Sequence, residues 1–310
     1  MNNPKIKFIS TGRYAPEGVL TNQDFEKIVD TSDEWITTRT GIKRRHKAEG
    51  ETAVDLAYKA ALNAINKANY DVRKIDLIVV ATITSPVTTP SVANLVQARL
   101  GLNDKHVMSF DINAACSGFV YALEVASGLL NSGIYKHALV IGTEHMTSIL
   151  DWTDRGTCIL FGDGAGAAII ERSESKDDTV WFYNGAKGDD TGILWINPLV
   201  QMDGKEVYKF AVDIMPKAME EVLKIANLTL DDIDIIVPHQ ANLRIIQSAA
   251  KALNLPLERF LVNIEEYGNT SSASIPILLD EYKDHHKETK KALLIGFGGG
   301  FTWGAAIINI

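Results

Sequence analysis

Residues 53–80 read AVDLAYKAALNAINKANYDVRKIDLIVV, and residues 211–238 read AVDIMPKAMEEVLKIANLTLDDIDIIVP. At an offset of 158 no gap is needed, and 11 of the 28 positions are identical. Each copy holds an amphipathic helix pattern, a polar turn and a nearly unbroken apolar run of strand length. The likeness continues outward. Leu100 and Leu102 match Leu253 and Leu255 at an offset of 153, and HALVIG (137–142) matches KALLIG (291–296) at 154. Ordered matches at a nearly constant offset mark a chain made of two similar halves, 1–170 and 171–310. The runs 77–81, 137–141, 235–237 and 292–295 lack alternation, so each is expected as a strand covered on both faces by helices. The fold class this predicts is layered α/β with two central sheets. Residues 158–161, 165–170 and 305–310 follow glycine turns and read as hairpin strands. The polar stretch 171–204 reads as a linker with surface loops.

The 310 residues carry a net charge of −8, which speaks against a nucleic-acid surface, since that needs a basic field. Two cysteines supply no disulfide framework. The N-terminal stretch has no charged segment followed by an apolar one, and the apolar runs are too short to span a bilayer. A cytoplasmic protein that engages neither membrane nor nucleic acid is expected.

The chemistry centres on FDINAACSGF (110–119). Cys116 follows a strand-like run, 107–112, and precedes a helix-like stretch, 119–130. A thiol at such an elbow sits at a helix N-terminus, where free N–H groups and the helix dipole favour the thiolate. A lone cysteine is more often a small buried hydrophobe, which is the reading given to Cys158 in CILF. Two further stretches change the weight: VPHQAN with His239 just past a strand end, and EYGNTSSAS with Asn269. Cys, His and Asn are the residue types of covalent acyl chemistry. The offset of 153 carries Cys116 onto Asn269, so equivalent elbows facing one pocket are expected.

Six stretches together carry a resemblance: 29–45 (VDTSDEWITTRTGIKRR), 111–119 (DINAACSGF), 154–167 (DRGTCILFGDGAGA), 237–245 (VPHQANLRI), 267–276 (YGNTSSASIP) and 296–305 (GFGGGFTWGA). The chain resembles the β-ketoacyl-acyl-carrier-protein (ACP) synthase III family of the thiolase superfamily. The resemblance implies the duplicated thiolase-like fold, layered α-β-α-β-α, in a homodimer. It implies decarboxylative condensation of an acyl-CoA primer, acetyl-CoA above all, with malonyl-ACP, which starts fatty acid synthesis. Cys116 matches the nucleophile, and His239 and Asn269 match the donors to the enolate oxygen. The backbone N–H groups of Cys116 and Gly299 match the hole for the acyl oxygen. Trp35 and Arg155 match the pair that sandwiches the CoA adenine, with Thr31, Arg39 and Asn242 along the rest of CoA. Arg244 matches an ACP-docking arginine, and Lys43, Arg44, Arg45 and Lys251 are candidates for a wider patch. No metal or tightly bound cofactor is implied, only the CoA thioester and the phosphopantetheine of ACP as substrates. Thr89 stands where the family often has a phenylalanine reaching the partner subunit's acyl pocket, which points to longer or branched primers. The same triad also serves specialised and branched-chain primer synthesis. An inert scaffold would need none of the three residues, and a plain thiolase would need a second catalytic cysteine.

Overall fold

Strands with apolar residues on both faces need cover on both sides, and the fold supplies it in five layers. The computed structural model describes residues 3–310. In the first sheet the strands lie side by side as Ile6–Tyr14, Asp163–Arg172, His137–His145, Leu77–Ala81 and Met108–Ile112. Leu77–Ala81 is buried at every residue and runs parallel to both neighbours. The second sheet runs Ile235–Pro238, Lys291–Gly298, Thr302–Asn309 and Trp181–Ala186. Its order repeats the first, with the fifth strand reduced to one parallel bridge, Ile236 to Phe260. That bridge is the counterpart of Ile78 beside Ser109.

Helices fill the other three layers. Ala53–Lys67 presents Val54, Leu56, Ala57, Ala60, Ala61 and Ala64 to the outer face of the first sheet. Thr52 and Asp55 cap it reciprocally, which satisfies two of its free N–H groups. Gly204–Ala226 and Leu243–Ala252 cover the outer face of the second sheet. Between the sheets lie Gly118–Asn131 and Ser274–His285, whose apolar side chains join strands of both halves in one core. Asp280, fully buried on the second of these, binds the first half. It accepts from the Thr11 hydroxyl at 2.8 Å, from Arg13 at 2.7 Å and from Lys67 at 2.7 Å.

Two segments differ from the expectation. The polar stretch 171–204 contains Trp181–Ala186, a full member of the second sheet paired with Thr302–Asn309, and a small hairpin, Leu194–Ile196 with Val200–Met202. Residues 158–161 form no strand. The N–H groups of Thr157 and Cys158 both donate to Asp154 O, which curls the chain into a turn buried by its apolar side chains. Only Phe161 makes a bridge, to Asn269.

Candidate active site

The two halves place an elbow at the same point of the fold. After Met108–Ile112 the chain passes through Asn113 and Ala114, takes one 3-10 turn (Ala115–Ser117) and enters Gly118–Asn131. In the second half Asn269 and Thr270 lead into Ser271–Ala273 and then Ser274–His285. Ala115 and Ser271 share a left-handed backbone, φ 48° and 49°, which is rare for residues with a Cβ and is held by the surrounding fold. Ser117 (φ −83°, ψ 0°) matches Ala273 (φ −79°, ψ −17°), and Gly118 matches Ser274. The true offset at the elbow is therefore 156. Cys116 is equivalent to Ser272, and Asn269 is equivalent to Asn113, which corrects the expected Cys116–Asn269 equivalence. The offset grows from 151 at the Ser109 and Phe260 positions to 156 at the elbow, because the second half inserts the short helix Ile264–Tyr267 there.

The elbows pack across the molecular pseudo-twofold. A Cβ on Gly142 would lie 2.3 Å from Ser272 O, and one on its counterpart Gly296 would lie 3.2 Å from Ser117 Cα. Two residues further on, the strands differ. Glu144 stands over the second elbow, and Gly298 stands over the first. A Cβ on Gly298 would lie 2.6 Å from Cys116 N, so only glycine leaves that N–H approachable.

What opens there is a cavity of about 640 Å³ lined by Cys116, His239 and Asn269 together with Phe161, Leu194 and Gly298. Cys116 is only 9% exposed, and burial pushes its thiol up to about 12, with the Ser271 hydroxyl acting in the opposite direction. Burial thus favours the protonated thiol, against the help expected from the helix N-terminus. His239 donates its backbone N–H to Ile295 O at 2.8 Å, which fixes it at the strand end. Its Nδ1 lies 2.7 Å from Ser274 Oγ, which itself accepts from the Gln240 N–H at 3.4 Å. Ser274 is buried, and Nδ1 is the acceptor for its hydroxyl proton, so the network assigns the ring proton to Nε2. Burial lowers His239 to about 3, leaving a neutral imidazole. Asn269 Oδ1 accepts from the Ser271 N–H at 2.8 Å, so its NH2 group is free for the cavity.

Towards the surface the same cavity is lined by Trp35, Arg39, Asn242 and Arg244. Two guanidinium groups lie over the Trp35 ring, Arg39 at 4.9 Å and Arg155 at 5.0 Å from its centre. Arg155 also donates to Asp30 O at 2.7 Å. Thr31 is half-buried with its hydroxyl unpartnered and does not line the cavity. Neither does Gly299, which packs on Leu194, nor Thr89, which lies on an exposed loop.

The basic patch needs one correction. Arg45 is fully buried, donates to Asn22 Oδ1 at 2.7 Å and to Ile159 O, and covers the Phe25 ring at 4.4 Å. Burial lowers it to about 10. It holds the turn that carries Ile159 and Phe161 and is no docking residue. Lys43 and Arg44 are exposed but paired with Glu265 and Glu266, at 2.8 and 2.7 Å. Arg244 and Lys251 are exposed on Leu243–Ala252.

Several lining residues escaped the sequence reading. Lys205 and Lys209 reach the cavity from Gly204–Ala226. Behind the floor, Glu144, Ser271 and Ser274 hold the elements that carry the triad. The signal for Glu144 was a carboxylate at the end of the apolar run ALVIGTE. Among the described residues no cluster of His, Cys, Asp or Glu is arranged to hold a metal ion.

Comparison with known proteins gives concordant matches. Residues 110–188 match the 3-oxoacyl-[acyl-carrier-protein] synthase III family model, and residues 223–310 match its C-terminal model. A β-ketoacyl-[acyl-carrier-protein] synthase III of Acholeplasma laidlawii is 69% identical over the whole of both chains. That of Clostridium acetobutylicum is 47% identical over 98% of each. The crystal structure of 3-oxoacyl-[acyl-carrier-protein] synthase III from Aquifex aeolicus superposes with a TM-score of 0.95 at 47% identity, covering 98% of this chain and 100% of that one.

Proposed function

The chain belongs to the β-ketoacyl-[acyl-carrier-protein] synthase III family, and on that footing we propose that it joins an acyl-CoA primer to malonyl-ACP through an acyl-cysteine on Cys116. The observation that carries this reading is the convergence of Cys116, His239 and Asn269 on one cavity, with Trp35 and Arg39 along the same walls.

In the first stage the Cys116 sulfur attacks the thioester carbon of the primer, and CoA leaves. The oxyanion forms beside the N–H groups of Cys116 and Gly299, and the bare Gly298 gives it room. Trp35 and Arg155 grip the adenine, with Thr31, Arg39 and Asn242 along the remainder of CoA. In the second stage malonyl-ACP docks against Arg244, and its phosphopantetheine enters. The bond to the carboxylate breaks, CO2 leaves, and the electron pair builds an enolate. Its oxygen accepts from His239 Nε2–H and from the Asn269 NH2 group. The enolate carbon then bonds to the acyl carbon, the Cys116 sulfur leaves, and β-ketoacyl-ACP is released, which starts fatty acid synthesis. A neutral histidine suits this role, since it donates without contributing a proton to be lost.

The protein works as a homodimer in this proposal. Met108–Ile112 is paired on one side only, by Leu77–Ala81, and Met108 is exposed at that edge. An open edge strand is a template for pairing with a second copy. Thr89, on its exposed loop, then reaches the partner's acyl pocket, and its small size admits primers longer than acetyl. The protein acts in the cytoplasm, and no helix among the described residues is long and apolar enough to cross a membrane.

The test is incubation with radiolabelled acetyl-CoA, followed by peptide mapping and by addition of malonyl-ACP. Label is expected on Cys116, lost in Cys116→Ala, and chased into β-ketoacyl-ACP. Label on Cys158, or label that malonyl-ACP cannot chase, overturns the reading. A primer series from two to eight carbons reads the second point. Each buried methylene is worth only about 0.8 kcal/mol, so a graded preference is expected, and a steep preference for acetyl-CoA removes the role given to Thr89.

A further inference from the structure

Glu144 has no part in the chemistry above, yet it is fully buried where the first sheet meets the elbow of the second half. Its Oε2 accepts from the Thr84 hydroxyl at 2.7 Å and from the Ile83 N–H at 3.1 Å, both in the segment that follows Leu77–Ala81. Its Oε1 accepts from the hydroxyls of Ser272 at 2.7 Å and Ser271 at 3.2 Å. One carboxylate thus ties the first half to the turn behind Asn269. None of these partners is a cation. A buried carboxylate without one is costly, and hydrogen bonds only partly offset that cost, so packing alone gives no reason for a glutamate here.

Ser271 connects this group to the reaction. The backbone of Asn269 is fixed on both sides: its N–H donates to Leu160 O at 2.9 Å, and its carbonyl accepts from the Gly162 N–H at 3.0 Å. Its side chain is held within the described residues by one hydrogen bond, from the Ser271 N–H to Oδ1 at 2.8 Å. That bond decides which end of the amide faces the cavity. With Oδ1 engaged, the NH2 group is presented as a donor. With the amide reversed, an oxygen would face the enolate oxygen and repel it. The Ser271 N–H stands where it does because the residue keeps a left-handed backbone, φ 49°, which a side chain disfavours.

The first elbow serves as an internal control. There Asn113 stands for Asn269, Ala115 for Ser271 and Gly298 for Glu144, so hydroxyl and carboxylate are both missing. Ala115 has the same left-handed backbone, yet its N–H donates to Asn113 Oδ1 at 3.4 Å, at the outer limit of a hydrogen bond, and Asn113 is exposed. Where the hydroxyl and the carboxylate are present, the same bond closes to 2.8 Å. We propose that Glu144 is a positioning residue for Asn269: it grips the hydroxyls of Ser271 and Ser272, and the Ser271 N–H thereby holds the amide with its NH2 group towards the enolate oxygen.

The inference rests on the condensation reading, and its test separates the two. Ser271→Ala gives the second elbow the residue of the first. In a crystal structure of this variant the bond from the N–H of position 271 to Asn269 Oδ1 should lengthen towards 3.4 Å, a readout that needs no turnover. Condensation of the acetylated protein with malonyl-ACP should fall about tenfold, with KM for malonyl-ACP and the rate of acylation by acetyl-CoA unchanged. In an Asn269→Ala background the same substitution should cost nothing further, because the group it positions is gone. Glu144→Ala should behave as Ser271→Ala does. Glu144→Gln should keep condensation within about threefold, since its amide oxygen takes the donors of Oε2 and its NH2 group donates to both serine oxygens. The Ser272 proton then turns to Ala81 O at 2.9 Å. Should Glu144→Ala fail to fold, Ser271→Ala and Glu144→Gln decide. An unchanged bond in Ser271→Ala, an equal fall in both stages, or a comparable further loss in the Asn269→Ala background overturns the inference. So does a loss in Glu144→Gln as large as that in Ser271→Ala. A lengthened bond in the variant, with no β-ketoacyl-ACP formed by the unsubstituted protein, upholds the positioning and overturns the condensation reading.

Discussion

The first elbow and the second have nearly the same backbone and opposite surroundings. Ala115 and Ser271 share their left-handed conformation, and the helix that follows each begins at the same place. At the first, the opposing strand offers Gly298, and a cavity opens beside Cys116. At the second, the equivalent strand offers Glu144, whose carboxylate engages Ser271 and Ser272. Duplication supplied two candidate sites. One opens onto a cavity, and the other is filled by a buried carboxylate.

Adding a methyl group at Gly298 should disturb this contrast most. In Gly298→Ala the Cβ would lie 2.6 Å from Cys116 N, where something must shift. Acyl transfer to Cys116 should fall about a thousandfold, because the oxyanion loses its donor geometry. Labelling by acetyl-CoA in a protein of unchanged circular dichroism checks it, and near-normal labelling removes the role of the bare strand.

A smaller effect is expected at the donors. His239→Ala or Asn269→Ala should lower condensation about a hundredfold and leave acylation of Cys116 nearly intact, since the enolate appears only in the second stage. Single-turnover measurement of each stage checks this, and equal losses mean that these residues also activate the thiol. Burial holds His239 at about 3, below its ordinary 6.5. The unsubstituted protein should therefore show no inflection from this residue in condensation rate near pH 6.5.

The smallest effect belongs to the second elbow itself. Ser272→Ala removes one hydrogen bond to Glu144 and should cost about 1 kcal/mol of stability with Cys116 still acylated. Thermal unfolding and acetyl labelling check it together. Loss of labelling in a folded protein would show that the two elbows cannot be treated as site and support.

The layers were legible because burial on both faces leaves unbroken apolar runs such as 77–81 and 292–295. The meeting of Cys116, His239 and Asn269 at one cavity was legible because each stands in a long specific motif. The register between the elbows was not, since an ungapped comparison cannot register the insertion that forms Ile264–Tyr267. Trp181–Ala186 was hidden by its polar flanks. Arg45 and Glu144 were hidden for a different reason. A charged letter carries no sign of burial, and both are held by neutral partners distant in the chain.

Asp280 reaches back from the second half to Thr11, Arg13 and Lys67 of the first, and the two helices of the middle layer share one core with both sheets. Melting either half would strip partners from a buried carboxylate and bare the apolar face of the other. The repeat in the sequence therefore does not become a repeat in folding. Neither copy is expected to hold its fold alone, so loss of one half should carry the other with it.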